Sequence, residues 1–188
     1  MLALFATVAF AAVRCPSADP LAPVDTDVAP DGAEYQLVAT ADVVCWWVVP
    51  EQGQPRVAHR WSTSDRYPIR LEALADGRAF FVMSDLRVQI RNPDDSHYRN
   101  LNLSVHGSPA VVLAHGRRDW VAITSVRDAD TTLVELLDLD RERVLASVAI
   151  SPRDLAIAFV AEEDVLWLDG AHALALTESG LSVRERSP

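Results

Sequence analysis

The sequence lacks the motifs that identify most enzymes. It has no phosphate-binding glycine loop, no metal-ligand pair at the usual spacing and no recognisable nucleophile. Its five histidines, His59, His97, His106, His115 and His172, are scattered and show no spacing typical of zinc sites. We therefore predict no catalytic, cofactor-binding or metal-binding residue from the sequence.

Two loop clusters contain suitable residue types without a suitable arrangement. Asp94-Asp95-Ser96-His97 are adjacent in one loop, whereas a catalytic triad brings its groups together from separate elements. Asp128-Ala129-Asp130 begins like a calcium loop, but no glycine follows at the sharp turn and no bidentate Glu follows at the right offset. We interpret both clusters as turns.

Clusters of positive charge are also absent. The chain carries 27 acidic and 17 basic residues, a formal net charge of −10, and its longest basic cluster is Arg117-Arg118. Such a surface repels nucleic acid and anionic membranes. Because an exposed sheet edge invites pairing, we predict that the partner is another protein or a second copy of the chain. Membrane contact is expected only through an N-terminal lipid anchor.

Long amphipathic helical patterns are missing, and strand patterns replace them. Between Pro68 and Leu103, Ile69, Leu71 and Ala73 alternate with charged residues before a turn at Asp76-Gly77. A continuously apolar run, Ala79 to Met83, and an alternating run, Arg87 to Arg91, follow. A short strand from Arg99 to Leu103 completes a predicted meander of four strands.

This unit recurs along the chain. Comparable units begin at Pro68, Pro109 and Pro152, which lie 41 and 43 residues apart. If the register is correct, Phe81, Ile123 and Leu166 occupy equivalent buried positions in the second strand of each unit. A looser unit precedes them, with strands at Tyr35 to Val38, Val43 to Val49 and Arg56 to Trp61.

The repeated unit resembles the generic blade of a β-propeller of the loose WD40-like or YVTN-like kind. The matching features are the opening apolar strand, the turn at Ala75-Asp76-Gly77, the apolar second strand and acidic turns such as Leu137 to Asp140. The resemblance implies an all-β array of about four four-stranded antiparallel sheets. A β-sandwich or an irregular barrel is the alternative that similar strand spacing allows.

The N-terminus resembles an export leader. Residues 1–13, MLALFATVAFAAV, carry no charge, and Cys15 is followed by a stretch rich in Pro, Asp and Ala, as in bacterial lipoproteins. This resemblance implies lipidation of Cys15, although Arg14 stands where that family has a small residue. Secretion without a lipid is the alternative, and we expect a mature chain that begins at Ala12 or Cys15.

These features divide the chain into three segments. Residues 1–15 are predicted to be the leader, residues 16–33 an extended linker, and residues 34–188 the β-repeat domain. The first repeat has no evident fourth strand, and by analogy with closed propellers we expect Leu181 to Arg184 to complete it. The predicted location is the periplasm, the cell envelope or the extracellular space.

Cys45, Trp46 and Trp47 are the most distinctive apolar residues. Cys45 lies within an apolar strand and is predicted to be a buried free thiol, although a disulfide with Cys15 is compatible with export. Consecutive tryptophans on a strand point to opposite faces. Either Trp46 or Trp47, if exposed, is a candidate anchor for a partner.

Two functions remain open from the sequence. The first is a non-enzymatic binding or scaffolding module that uses one face of a small propeller. The second is a hydrolase or lyase with its site at the central mouth, since propellers host both classes. The lack of catalytic motifs favours the binding module.

Overall fold

The computed structural model describes residues 15–16, 23–129, 131–150, 158–160, 165–167, 172–177 and 180–185. Side chains are described up to residue 149, apart from residue 130, and only the backbone is described beyond it. Every regular element among these residues is a β-strand. The prediction of an all-β fold is therefore confirmed.

The strands form four antiparallel sheets of four strands each, and every sheet is a meander in chain order. Sheet 1 contains β1 (Asp25–Val28), β2 (Glu34–Ala39), β3 (Val43–Val49) and β4 (Arg56–Ser62). Sheet 2 contains β5 (Pro68–Ala73), β6 (Ala79–Met83), β7 (Arg87–Arg91) and β8 (Tyr98–Ser104). Sheet 3 contains β9 (Ser108–Ala114), β10 (Trp120–Val126), β11 (Thr132–Asp138) and β12 (Arg143–Ile150). Sheet 4 contains β13 (Ala158–Val160), β14 (Val165–Trp167), β15 (His172–Thr177) and β16 (Gly180–Glu185).

Successive sheets meet through their first strands. β1 contacts β5, β5 contacts β9, and β9 contacts β13. This places the first strand of each sheet on the inner side of the array and the fourth strand on the outer side. The arrangement is a small propeller-like array, as the repeats predict.

The core lies between the faces of adjacent sheets. Between sheets 1 and 2, Trp46 makes edge contacts with Tyr35 and Phe81, with ring centroids 5.4 and 5.1 Å apart. Between sheets 2 and 3, Phe80 and Ile123 belong to a second buried cluster. A strand packed on both faces must be apolar at every position, which explains the runs in β6 and β10.

The predicted register is confirmed where side chains are described. Phe81 and Ile123 are both fully buried and both face the preceding sheet. Phe81 pairs with Gln89 across β6 and β7, and Ile123 pairs with Glu135 across β10 and β11. Leu166 lies in β14, but its side chain is outside the described residues.

The first sheet corrects two predictions. The strand that the sequence did not reveal is its first, β1 (Asp25–Val28), which lies inside the segment predicted to be a linker. Residues Leu181 to Arg184 do not complete sheet 1, because they belong to β16 and pair with β15. β1 could not be recognised from its polar sequence, because its stability comes from contacts with sheet 2.

Cys45 also differs from its prediction. It forms a disulfide with Cys15, across a sequence separation of 30 residues, so it is not a free thiol. Both cysteines of the chain are used in this bond. The bond holds residue 15 against β3, and it is the disulfide that the sequence left open as compatible with export.

Candidate binding groove between the second and third sheets

The two predicted tryptophan anchors have different environments. Trp46 is 1% exposed within the core between sheets 1 and 2, so it cannot contact a partner and that prediction is wrong. Trp47 points to the opposite face of sheet 1 and is half-buried. It lines a cavity of about 690 Å³ together with Cys15, Val57 and His59.

The inner strands bring three carboxylates together. Asp25 Oδ2 accepts a hydrogen bond from the Leu71 backbone N–H at 2.9 Å, and Asp27 Oδ2 accepts one from Ala73 N–H at 2.6 Å. One sheet further on, Glu72 Oε1 accepts a hydrogen bond from Ala114 N–H at 2.6 Å.

Asp27 and Glu72 occupy equivalent positions in the repeat. Asp27 pairs with Tyr35 and Glu72 pairs with Phe80, and these two aromatic side chains face the following sheet. Each carboxylate thus joins its sheet to the inner strand of the next one. We call these contacts the inner-strand clasps.

Two of the three inner-strand carboxylates have raised pKa values, as expected of buried acids. Burial, followed by the charge of Asp27, raises the pKa of Glu72 to about 8. Burial also raises the pKa of Asp25, against hydrogen bonding from Leu71 and the nearby charge of Arg70. Because these carboxylates accept hydrogen bonds from the backbone of the next strand, their geometry is explained by packing of the sheets.

A groove with apolar walls lies between sheets 2 and 3. Its volume is about 730 Å³, which is in the range typical of ligand sites. Leu86 precedes β7 and Val105 follows β8 of sheet 2, whereas Leu133 and Val144 lie in β11 and β12 of sheet 3. The polar residues His106, Arg127, Glu135 and Ser147 complete the lining.

His106 and Glu135 form a pair at this groove. His106 Nδ1 lies 2.7 Å from Glu135 Oε1, and the His106 backbone N–H donates to Glu135 Oε2 at 2.9 Å. The Glu135 side chain is 1% exposed, whereas that of His106 is 68% exposed. An ionised carboxylate can only accept, so with Glu135 ionised Nδ1 is the donor of this pair, and in a neutral ring Nε2 is then an acceptor.

The backbone next to His106 is closely packed. Gly107 has a φ of +110°, and a Cβ at this residue would lie 2.8 Å from the carbonyl oxygen of Val126. Only glycine combines this conformation with this approach. The loop between β8 and β9 therefore fixes His106 above Glu135.

The sequence contained only a weak indication of this site. His106 was one of five scattered histidines, and Glu135 is the single charged residue within the run from Thr132 to Leu137. A lone carboxylate in an apolar strand requires a hydrogen-bond partner. Its position in β11 could be predicted, but the identity of the partner depends on how sheet 2 meets sheet 3.

The described residues contain no group of three or more His, Cys, Asp or Glu side chains arranged to hold a metal ion. Over the same parts of the chain, no helix has the length and apolarity needed to cross a membrane. His97 and Asp95 are close, at 2.6 Å, but both belong to one exposed loop. Asp128 is exposed beside residue 130, which is not described.

Comparison with known proteins identifies the fold alone. No family model and no curated protein matches the chain. A chain of a nidogen/laminin complex matches with a TM-score of 0.59 and 17% identity, over 87% of this chain and 65% of that one.

Two enzymes of propeller type are also similar in structure. A putative 6-phosphogluconolactonase from Bacteroides uniformis matches with a TM-score of 0.52 and 13% identity, over 87% of this chain and 50% of that one. A puromycin hydrolase matches with a TM-score of 0.53 and 11% identity, over 84% of this chain and 26% of that one. The chain thus spans less than two thirds of each of these three chains. The β-propeller-like fold is common to binding proteins and enzymes.

Proposed function

We propose that the protein is an exported binding module that holds its partner in the groove between sheets 2 and 3. The observation that carries the proposal is the pairing of apolar walls with one oriented polar group, His106 on Glu135. An apolar partner side chain would fill the space between Leu133 and Val144. A donor on the partner would meet Nε2 of His106.

The groove is better suited to binding than the inner strands are. Asp25, Asp27 and Glu72 each accept a backbone hydrogen bond from the neighbouring sheet. A partner that used these oxygens would compete with contacts between sheets. A partner in the groove would instead cover exposed apolar surface, since Val144 is 39% exposed.

Export is the second part of the proposal. The disulfide between Cys15 and Cys45 supports it, because such bonds persist mainly in oxidising compartments. A leader that ends before Cys15, a secreted β domain and a location in the periplasm or cell envelope agree with this bond. Lipidation of Cys15 competes with it, since both require the same Sγ atom.

The test uses two exposed valines of sheet 3. Val144 lines the groove, and Val126, which is 47% exposed, does not line it. Parent, Val144→Glu and Val126→Glu proteins would be immobilised and exposed to a cell-envelope extract of the native host. We expect one partner to be retained by the parent and by Val126→Glu, and to be lost with Val144→Glu. Equal retention by all three proteins would contradict the groove as the binding site.

A second candidate is a hydrolase in the same groove, favoured by the geometry of His106 and Glu135. A carboxylate that orients a histidine is the arrangement of a general base. Activity would be measured on nitrophenyl esters and simple lactones. Turnover by the parent that is lost in His106→Gln and retained in Val126→Glu would establish the hydrolase and replace the binding module.

A further inference from the structure

Arg91 occupies a position at which the repeat has an apolar side chain elsewhere. It pairs with Ala79 across β6 and β7, as Leu137 pairs with Val121 across β10 and β11. Leu137 is fully buried in the core between sheets 2 and 3. Packing would be satisfied by an apolar residue at position 91, so the arginine requires another explanation.

The guanidinium of Arg91 lies in an aromatic environment between sheets 1 and 2. Its Cζ atom is 5.1 Å from the ring centroid of Trp61 on β4 and 4.5 Å from that of Tyr98 on β8. The residue is 5% exposed. Aromatic rings attract a cation, but they do not neutralise it.

The hydrogen bonds of Arg91 are incomplete. Nε donates to Gln89 Oε1 at 2.7 Å, whereas Nη1 is buried and has no hydrogen-bond partner. Among the described residues, no Asp or Glu forms an ion pair with Arg91. Burial lowers the pKa of Arg91, the result expected for a cation without a counter-ion.

A polar network holds a second arginine beside it. Gln89 Nε2 donates to Asn100 Oδ1 at 2.9 Å, and Arg66 Nη2 donates to the same oxygen at 3.0 Å. Arg66 also lies 3.6 Å from Asp85. The network fixes the two guanidinium groups on the wall of one cavity.

That cavity has a volume of about 240 Å³ and lies between Trp61, Arg66, Arg91 and Tyr98. At about 30 Å³ per water, it has room for about eight waters or a small organic ion. Asp65 contributes the one carboxylate of its lining. Tyr98 is 52% exposed, so its ring can rotate away from the guanidinium without disturbing the core.

We propose that this cavity binds a small carboxylate, with Arg91 as its principal partner and Arg66 as its second. A guanidinium presents parallel N–H donors that match the two oxygens of a carboxylate. The anion would supply the acceptor that Nη1 lacks and the countercharge that the buried cation lacks. This site is separate from the groove between sheets 2 and 3, and neither depends on the other.

The test compares Arg91→Met with Arg87→Met. Arg87 is on the same strand and its side chain is 68% exposed, so it controls for loss of one charge. Succinate, inorganic phosphate and chloride would be titrated at constant ionic strength, with the melting temperature and calorimetric binding as measurements. We expect succinate to raise the melting temperature of the parent and of Arg87→Met, and phosphate to have a smaller effect. In Arg91→Met the succinate dissociation constant should weaken by about tenfold or more.

The variant without ligand supplies an independent check. Arg91→Met removes a buried unpaired charge and keeps an apolar side chain of similar length, so its melting temperature in chloride should equal or exceed that of the parent. A parent that does not respond to succinate would overturn the proposal. Equal responses from the parent and Arg91→Met would also overturn it.

Discussion

At the scale of single residues, Glu72 makes the stability of the fold depend on pH. Its pKa is 4.5 in an unfolded chain and about 8 in the folded protein, mainly because of burial and then because of Asp27. The folded state therefore gains most from Glu72 below pH 4.5, and this contribution is lost as the pH rises through about 8.

The corresponding prediction uses Glu72→Gln, which keeps an oxygen acceptor for Ala114 N–H and removes the titration. Between pH 5 and 8, the unfolding free energy of the parent should fall by an amount on the order of a few kcal/mol more than that of Glu72→Gln. Urea unfolding at both pH values measures the difference. Glu51→Gln, at an exposed turn, should behave like the parent. Parallel pH dependences for the parent and Glu72→Gln would show that Glu72 is not the titrating group.

Gly107 supports the groove through its backbone. Gly107→Ala should cost about 3 kcal/mol or more, because it adds a clash with Val126 to the strain of a positive φ. Gly77 has a φ of +82° with no atom within 4 Å of a new Cβ, so Gly77→Ala should cost only about 1–2 kcal/mol. Thermal unfolding compares the two variants. Equal losses would mean that the approach of Gly107 to Val126 is not as described.

At the scale of elements, β1 depends on its clasps to β5. Asp27→Ala should leave Ala73 N–H without its acceptor and cost about 1–3 kcal/mol. The amide of Ala73 should also exchange faster with solvent. Thr26→Ala is the matched control, since Thr26 is an exposed neighbour on the same strand. Unchanged exchange at Ala73 in Asp27→Ala would rule out the clasp.

The strands that the sequence predicted best are those whose own pattern determines their burial. β6 is a continuous apolar run and is buried at every position. β7 alternates in sequence, but its residues 88–91 are all buried, because both faces of the strand are covered by neighbouring sheets. β1 could not be recognised, because Asp25-Thr26-Asp27-Val28 has a polar pattern and lies among prolines. The carboxylates of Asp25 and Asp27 accept hydrogen bonds from amides of β5. These contacts exist only when the two sheets are packed together.

The groove also could not be predicted from the sequence. Leu86, His106 and Glu135 are far apart in the chain and meet only because sheet 2 packs on sheet 3. The sequence predicted that the sheets would repeat at intervals of about 40 residues. It could not predict how far the outer halves of two sheets separate. That separation creates the space for a partner.

At the scale of the whole molecule, the disulfide between Cys15 and Cys45 stabilises the fold, and it requires that processing leaves the thiol of Cys15 unmodified. Closing a loop of 30 residues contributes about 3.5 kcal/mol in the chain-entropy model. Cys15→Ser should therefore lower the unfolding free energy by about that amount, and reduction of the parent should have the same effect. Equal stability of oxidised and reduced parent would contradict this role.

Intact mass of the protein from its native host gives the complementary observation. A mature chain that starts at Ala12 and is lighter by the two thiol hydrogens would support secretion with the disulfide. A chain that starts at an acylated Cys15 would establish lipidation and exclude the bond to Cys45. An intact Met1 in the cytosol would contradict export.

The groove between sheets 2 and 3 is the proposed site of the partner. Amide hydrogen exchange of the parent, before and after saturation with the partner captured from the envelope extract, tests it most directly. We predict new protection at residues 105–107, 133–135 and 144–147, and no change in β1, β5 and β9. Protection confined to these inner strands, with the groove unchanged, would contradict the account and place binding at the central mouth.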